Sequence, residues 1–472
     1  MAQKLKKALF AAAAILLLVQ SGLYGAETET NGTLPLESEF SILIDANTGH
    51  VLHQVGMHQR AYPASMTKVM TALLLLESGR PMDEPIFPSR EAITVVMPWH
   101  NPLYYVTDYL TVEESLYAIM LPSANCVSNA IAEFLAGSME EFAMMMTARA
   151  HELGAVNTNF TNAHGLWEPD HFTTPYDMAL IMREAISHDK FLEIINSQRF
   201  QVSYEDYPTE YHMIYNTNRA LFPTSQHFNP DMFGGKTGFT NNSRHTLVSY
   251  GQRRDMRLIT VIMRADNRDI IFDDTRLLMD FGFTQFEQQA IFSADSFEHS
   301  IDLIQRTGQG VLVIGDVEIA AANDIVLPLP INFDRTSITT TIQVADRIVA
   351  PISEGFPVGH ITLEHEGHVI GQVELYTAQA AQQMPAEQFN TLFRIYGTPS
   401  NLLSYLSTGT GGFSVLNLLG GFALVLLGIL LFGILLILCL RLFYRRKRRR
   451  SRAIYMRRRR PVSYTSGSYR YK

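Results

Sequence analysis

Pro63-Ala64-Ser65-Met66-Thr67-Lys68-Val69-Met70-Thr71-Ala72-Leu73-Leu74-Leu75-Leu76 is the stretch on which the fold turns. From Ser65 onward it is apolar on nearly every face, which predicts a helix over 65–76 that is buried all round. Ser65 stands at the helix start, beside unpaired backbone N–H groups and the positive end of the dipole. Lys68 follows at i+3 on the same face. An amine held in an apolar wall has its ammonium form destabilised, so a neutral base becomes available to the hydroxyl. The pair supplies a nucleophile and an activator with no histidine. The spacing alone is weak, because Ser187-His188-Asp189-Lys190 repeats it. That second match sits at a polar helix end and reads as solvated surface.

Outward from this helix, residues 40–46 alternate as a strand, Asn47-Thr48-Gly49 signals a turn, and residues 50–54 return. Thr111 with Glu114, Ser138 with Glu141 and Thr174 with Asp177 are capping signals that open three further helices. Strands are predicted over 246–250 and 257–263 around a polar turn at 252–255, then a helix over 269–281. The Met144-Met145-Met146 run reads as core packing. From about residue 290 to 377 the texture is short β-rich runs broken by Gly, Asn, Asp and Pro, which predicts a separate all-β module.

Two further triplets keep Ser65 company. Ser123-Ala124-Asn125 follows Leu121-Pro122 between two helices, and Lys236-Thr237-Gly238 follows Gly234-Gly235 into the strand pair. The order S-x-x-K, S-x-N, K-T-G is the signature of penicillin-binding proteins and class A β-lactamases. With Ser41–Gly49, Pro63–Lys68, Leu121–Asn125, Asn162-Ala163-His164-Gly165-Leu166, Ile348–Ile352 and Val369-Ile370-Gly371, the chain resembles the D-alanyl-D-alanine carboxypeptidases of the low-molecular-weight penicillin-binding proteins over roughly residues 38–380. The resemblance implies an α/β transpeptidase/β-lactamase-like domain, an antiparallel sheet plus a helical cluster, followed by a small all-β sandwich-like domain. It implies removal of the terminal D-alanine from peptidoglycan stem pentapeptides through an acyl-enzyme, with β-lactams as covalent inhibitors. No cofactor is expected, and the 15 histidines show no zinc-ligand spacing, so no metal is expected either.

The residue roles it implies are these. Ser65 attacks, Lys68 takes its proton, and Ser123 relays a proton to the leaving amine. Asn125 orients the substrate amide and Lys68. Lys236 and Thr237 of the Lys236-Thr237-Gly238 triplet bind the terminal carboxylate, with Arg257 nearby. The backbone N–H groups of Ser65 and Phe239 form the oxyanion hole. Cys126 stands where the family usually has an acid, Ala124 replaces its glycine, and residues 99–109, which border the cleft, are unusually aromatic. His164 is read as structural. The alternatives are a β-lactamase, against which the second domain and a C-terminal membrane span argue, and a non-catalytic envelope scaffold, against which the intact triplets argue.

The two ends predict a membrane setting. Residues 1–26 carry Lys4, Lys6 and Lys7, an apolar run and a small-residue stretch, the layout of a signal peptide. Residues 418–440 form an uncharged apolar run long enough to span a bilayer. The basic tail at 441–472 then faces the cytoplasm, leaving everything before residue 418 outside. Stop-transfer and anionic-lipid contact explain such a tail better than nucleic acid does. The expected division is signal peptide 1–26, catalytic domain 33–285, all-β domain 286–380, membrane-proximal linker 381–415, span 418–440 and tail 441–472. The tail holds 14 of the 38 Lys and Arg and none of the 46 acids, and the first 26 residues hold three more. That leaves the ectodomain 21 basic against 46 acidic residues, a net charge of −25 that the overall −8 conceals. Bulk charge therefore disfavours polyanionic partners. Cys126 and Cys439 fall on different segments, so no disulfide supports the fold. The sequence leaves the oligomeric state open.

Overall fold

The computed structural model describes residues 34–94, 96, 109–203, 211–308 and 310–396. The expected signal peptide, the aromatic stretch short of Tyr109, the span and the basic tail lie outside them. Among the described residues no helix is long and apolar enough to cross a membrane. Contacts group the chain into two compact units. One runs up to Glu298 and adds Ala320–Val344 and Pro357–Tyr376; the other comprises His299–Ile319, Ala345–Phe356 and the chain from Thr377 onward.

In the first unit, β1 (Phe40–Asp45) and β2 (Val51–Val55) form the expected hairpin. The chain then enters a 3-10 turn, Ala64–Thr67, and α1, Lys68–Glu77. Helices α2 (Val112–Met120), α3 (Asn125–Ala136), α4 (Met139–Glu152), α5 (Pro175–Ala185) and α6 (Asp189–Asn196) follow. The sheet is completed by β3 (Met232–Thr240), β4 (Arg244–Arg253) and β5 (Met256–Ala265), and α7 (Arg268–Gln285) closes the run. Strand order is β2-β1-β5-β4-β3, antiparallel throughout.

The capping signals are met locally. Thr111 Oγ1 accepts from Glu114 N–H while the Glu114 carboxylate accepts from Thr111 N–H, a complete capping box for α2. Ser138 and Thr174 cap α4 and α5 through the N–H groups of Glu141 and Asp177. Alternation along the strands gives the sheet two buried faces. Ile42, Ile44, Val248, Ile259 and Val261 join the helical core, whereas Leu43, Leu247, Leu258 and Ile262 pack with Ile270, Leu278 and Met279 of α7.

At the centre of the helical layer, α1 touches α2, α3, α4, α5 and α6. Every residue from Lys68 to Leu75 is buried, as the apolar run requires. Full burial of one such leucine stabilises by about 1.5–3 kcal/mol, so α1 is fixed by its surroundings more than by helix propensity. The methionine run departs from expectation. Met146 is buried, but Met144 and Met145 are exposed, because three consecutive helical positions cannot share one face.

The first unit also holds paired strands beyond α7. β6 (Phe286–Phe292) pairs with β9 (Ile325–Pro330), and β10 (Thr339–Val344) with β12 (Pro357–His365), which pairs with β13 (His368–Thr377), in this unit as far as Tyr376. Gln288 Nε2 donates to Asp45 Oδ2 at 2.7 Å, tying β6 to the end of β1. In the second unit, β7 (His299–Thr307) pairs antiparallel with β8 (Gly310–Ala321) and parallel with β11 (Arg347–Val349). Its helix α8 (Ala386–Tyr396) buries Phe389, whose ring stacks on Phe393.

Candidate active site

Ser65 occupies the 3-10 turn ahead of α1, half-buried, with Lys68 as the first residue of the helix proper. Ala64 just before it has φ +49°, a left-handed conformation costly for a residue with a Cβ. Such strain persists only where neighbours over-determine it, and they do. Thr246 Oγ1 donates to the Pro63 carbonyl at 3.1 Å, and Thr67 Oγ1 to the Ala64 carbonyl at 2.8 Å. Gly165, itself at φ +86°, packs so tightly that a Cβ there would lie 1.8 Å from the Ala64 oxygen.

Lys68 is fully buried. Its Nζ lies 2.7 Å from Asn125 Oδ1, 2.6 Å from the His164 carbonyl and 3.2 Å from Ser65 Oγ. Burial, reinforced by the charge of Lys236, holds its ammonium well below the usual lysine range, with Cys126 a weaker opposing influence. A neutral amine has two N–H donors and one lone pair. The two carbonyl oxygens take the donors, and the lone pair is left facing Ser65 Oγ. That is the arrangement of a base poised on a hydroxyl.

Ser123 lies in the short turn between α2 and α3, at φ +68°. Its Oγ is buried without a hydrogen-bond partner among the described residues. Asn125, two residues on, begins α3 and reaches Lys68. Cys126 beside it is buried, and burial pushes its thiol up to about 11, so it is neutral where the family usually has an acid.

Lys236, Thr237 and Gly238 lie on β3, the edge strand, in register with Val248, Leu247 and Thr246. A Cβ on Gly238 would meet Ser65 N at 2.9 Å and Thr246 Oγ1 at 2.5 Å, so only glycine lets the strand approach the nucleophile this closely. Lys236 is buried, and its Nζ donates to the Thr237 carbonyl at 2.9 Å. Burial, aided by the Arg268 charge, brings its ammonium down to about 7. Thr237 Oγ1 shares a 2.8 Å hydrogen bond with Thr217 Oγ1. Phe239 follows with its ring exposed against His245, centroids 4.4 Å apart.

The structure thus brings Ser65, Lys68 and Asn125 into contact and sets Gly238 against Ser65, with Ser123 in the adjoining turn and Thr237 and Phe239 flanking on β3. Arg257 is a correction. It pairs across the sheet with Gln252, whereas the rung that carries Lys236 continues through Val248 to Val261. Four residues of strand, about 13 Å, separate them, and Arg257 instead lines a cavity with Ala46, Arg183, Tyr250 and Gln252. The arginine near Lys236 is Arg268, at the start of α7, whose Nη2 donates to the Thr217 carbonyl at 2.8 Å. Sequence reasoning missed Arg268 and Thr217, which belong to no recognisable motif, and Thr67, a variable position inside the S-x-x-K match. His164 enters through its backbone carbonyl, and its ring Nδ1 accepts from Leu166 N–H at 3.1 Å, which fits the structural reading.

Glu77, Glu184 and His188 have ligand atoms close enough to share a metal ion, yet Arg149 already bridges the two glutamates. The Ser187–Lys190 match makes no comparable site, because Lys190 is ion-paired to Glu113 and Glu193.

Comparison with known proteins gives this geometry a context. The family model described as D-alanyl-D-alanine carboxypeptidase matches residues 27–267, and that described as the penicillin-binding protein 5 C-terminal domain matches 286–383. The D-alanyl-D-alanine carboxypeptidase DacF of Bacillus subtilis is 29% identical over 366 residues, covering 76% of this chain and 89% of that protein. DacC of Escherichia coli, of the same description, is 27% identical over 391 residues, 80% of this chain and 92% of that one. The fold is shared with penicillin-binding protein 5 of Haemophilus influenzae at a TM-score of 0.62 and 22% identity, covering 75% of this chain and all of that one.

Proposed function

We propose, for a chain that belongs to the D-alanyl-D-alanine carboxypeptidase family, that Ser65, Lys68 and Ser123 carry out acyl transfer on the terminal D-alanyl-D-alanine of peptidoglycan stem pentapeptides. The activity is a serine-type D-Ala-D-Ala carboxypeptidase. Ser65 Oγ attacks the carbonyl carbon between the two D-alanines as Lys68 Nζ accepts its proton. The oxyanion is held by the backbone N–H groups of Ser65 and Phe239. The C–N bond then breaks, the departing amine takes a proton through Ser123, and D-alanine leaves. Water enters, loses a proton to Lys68 and releases the shortened peptide from Ser65.

The observation that carries this reading is the surroundings of Lys68: full burial, two carbonyl acceptors, and Ser65 Oγ at 3.2 Å. Asn125 keeps its role in aligning Lys68 and the substrate amide. Lys236 and Thr237 take the substrate carboxylate, and Arg268 replaces Arg257 as the supporting cation. A β-lactam mimics the terminal dipeptide, acylates Ser65 and persists. The fitting experiment measures D-alanine release from a pentapeptide by the full chain and by Ser65→Ala, with mass spectrometry of the penicillin adduct. Release that survives the substitution sinks the assignment, and steady penicillin turnover points to a β-lactamase.

The setting belongs to the same proposal. A signal peptide at 1–26, a span at 418–440 and a basic tail place catalytic residues 33–285 and the β region 286–380 on the outer side of the cytoplasmic membrane. Support comes from the charge pattern and from the two family matches, which leave only residues 268–285 between them.

A further inference from the structure

We propose that His171 is a positioning residue that fixes the Ser65 backbone N–H as an oxyanion donor, acting through Thr67 and the Ala64 carbonyl. The proposal rests on the acyl-transfer reading above. His171 is buried, and its Nδ1 faces the Thr161 N–H at 3.1 Å and Thr161 Oγ1 at 3.2 Å. A backbone N–H can only donate, so Nδ1 carries the lone pair and the ring proton sits on Nε2. That Nε2–H points at Thr67 Oγ1, 2.8 Å away, and Thr67 Oγ1 in turn donates to the Ala64 carbonyl at 2.8 Å. A carbonyl can only accept. Both ends of the chain are therefore fixed in direction, and the tautomer and the hydroxyl rotor between them follow.

The consequence lies in the peptide unit that joins Ala64 to Ser65. A trans peptide is planar, with its C=O and N–H pointing opposite ways. Anchoring the Ala64 oxygen on the Thr67 and Gly165 side turns the Ser65 N–H the other way, toward β3, where a Cβ on Gly238 would stand 2.9 Å from Ser65 N. At φ +49° Ala64 resists this arrangement, so its carbonyl needs the anchor. Burial, with the Lys68 charge adding to it, lowers His171 to about 3. The relay thus stays in one protonation state across the range in which Lys236 titrates.

The test uses the full chain and reads the rate constant of acylation by a fluorescent penicillin together with D-alanine release. Thr67→Val and His171→Leu break the relay, whereas Thr67→Ser and His171→Gln retain its donors. Misplacing one oxyanion donor costs on the order of 10–100-fold. We expect that loss in acylation and kcat for the two breaking variants, KM changed by no more than about twofold, unchanged midpoints in the pH profile, and most of the rate restored in the two retaining variants. The Thr67→Val/His171→Leu double variant is expected to be no slower than the slower single, because both cut one chain. Wild-type acylation in Thr67→Val overturns the proposal, as does a double-variant loss equal to the product of the singles. A moved acid limb overturns it too, since His171 would then act through the charge on Lys68. Thr67→Val is nearly isosteric, so it decides the matter even if His171→Leu does not fold. A wild-type chain that is not acylated would instead sink the acyl-transfer reading itself.

Discussion

Lys68 and Lys190 each follow a serine by three residues, and the fold gives them opposite surroundings. Lys68 has no exposed surface and meets two carbonyls and a serine hydroxyl. Lys190 keeps 25% of its side chain exposed and meets two carboxylates. Burial lowers one ammonium. In the other, desolvation is the largest single influence and lowers the ammonium, but the hydrogen bonds to Glu113 and Glu193 together outweigh it, and the ammonium is raised. Identical spacing therefore yields a base in one place and a permanent cation in the other. What separates them is the identity of the acceptors: uncharged oxygens do not stabilise a buried charge enough to retain the proton.

The sharpest way to break this contrast is to remove each amine in turn. Lys68→Ala is expected to slow penicillin acylation by about 10³–10⁴-fold, near the upper end of what one general base supplies. Lys190→Ala should leave the same rate within about twofold. Equal losses in a stopped-flow acylation assay would mean that the spacing, and not the surroundings, makes the base.

A second buried lysine sharpens the comparison, because Lys236 must be charged where Lys68 must be neutral. Lys236→Ala removes a charged hydrogen bond to the substrate carboxylate, a loss of about 10–100-fold in kcat/KM. Its pH signature has a definite sign. Lys68 gains activity as it loses its proton, so the acid limb rises with pH. Lys236 loses activity as it loses its proton, so kcat/KM for a carboxylate-bearing peptide falls above about pH 7. Lys236→Arg should move that alkaline limb upward, because guanidinium stays charged. An unmoved limb in the rate profile would assign the titration to another group.

The smallest effects are on stability. Leu73→Ala, which opens a cavity in the buried core around α1, should cost about 2–5 kcal/mol in urea unfolding. Glu113→Gln, beside Lys190, should cost no more than about 1 kcal/mol, as partly exposed ion pairs do. A reversal of that order would show that the polar shell of Lys190 anchors the fold.

Much of this site could be read before the fold was known. Ser65, Lys68, Asn125 and Gly238 belong to local triplets, and the caps at Thr111, Ser138 and Thr174 are settled within four residues of chain. Arg257 was misassigned because adjacency of two strands does not give their register; only the pairing of Gln252 with Arg257 shows how far along β5 that arginine lies. Arg268 could not be found locally, since it reaches Thr217 across 51 residues of sequence. His171 meets Thr67 across 104 and carries no motif. The methionine run looked like core because apolar composition is visible in a sequence, whereas the facing of each helical position depends on what the helix packs against.

The strand order has a bearing on how the molecule comes into being. β1 lies between β2 and β5, so a strand ending at Asp45 completes its pairing only with one that begins at Met256. Synthesis proceeds at about 5–20 residues per second, and the intervening two hundred residues take on the order of ten seconds or more to appear. For most of that interval the apolar helix behind Ser65 has neither the completed sheet that will support it nor the β3 edge that will face it. The nucleophile is among the first parts made and among the last assembled. A chain interrupted before β5 carries Ser65 and Lys68 in its sequence but no means of bringing them to bear on a peptide bond.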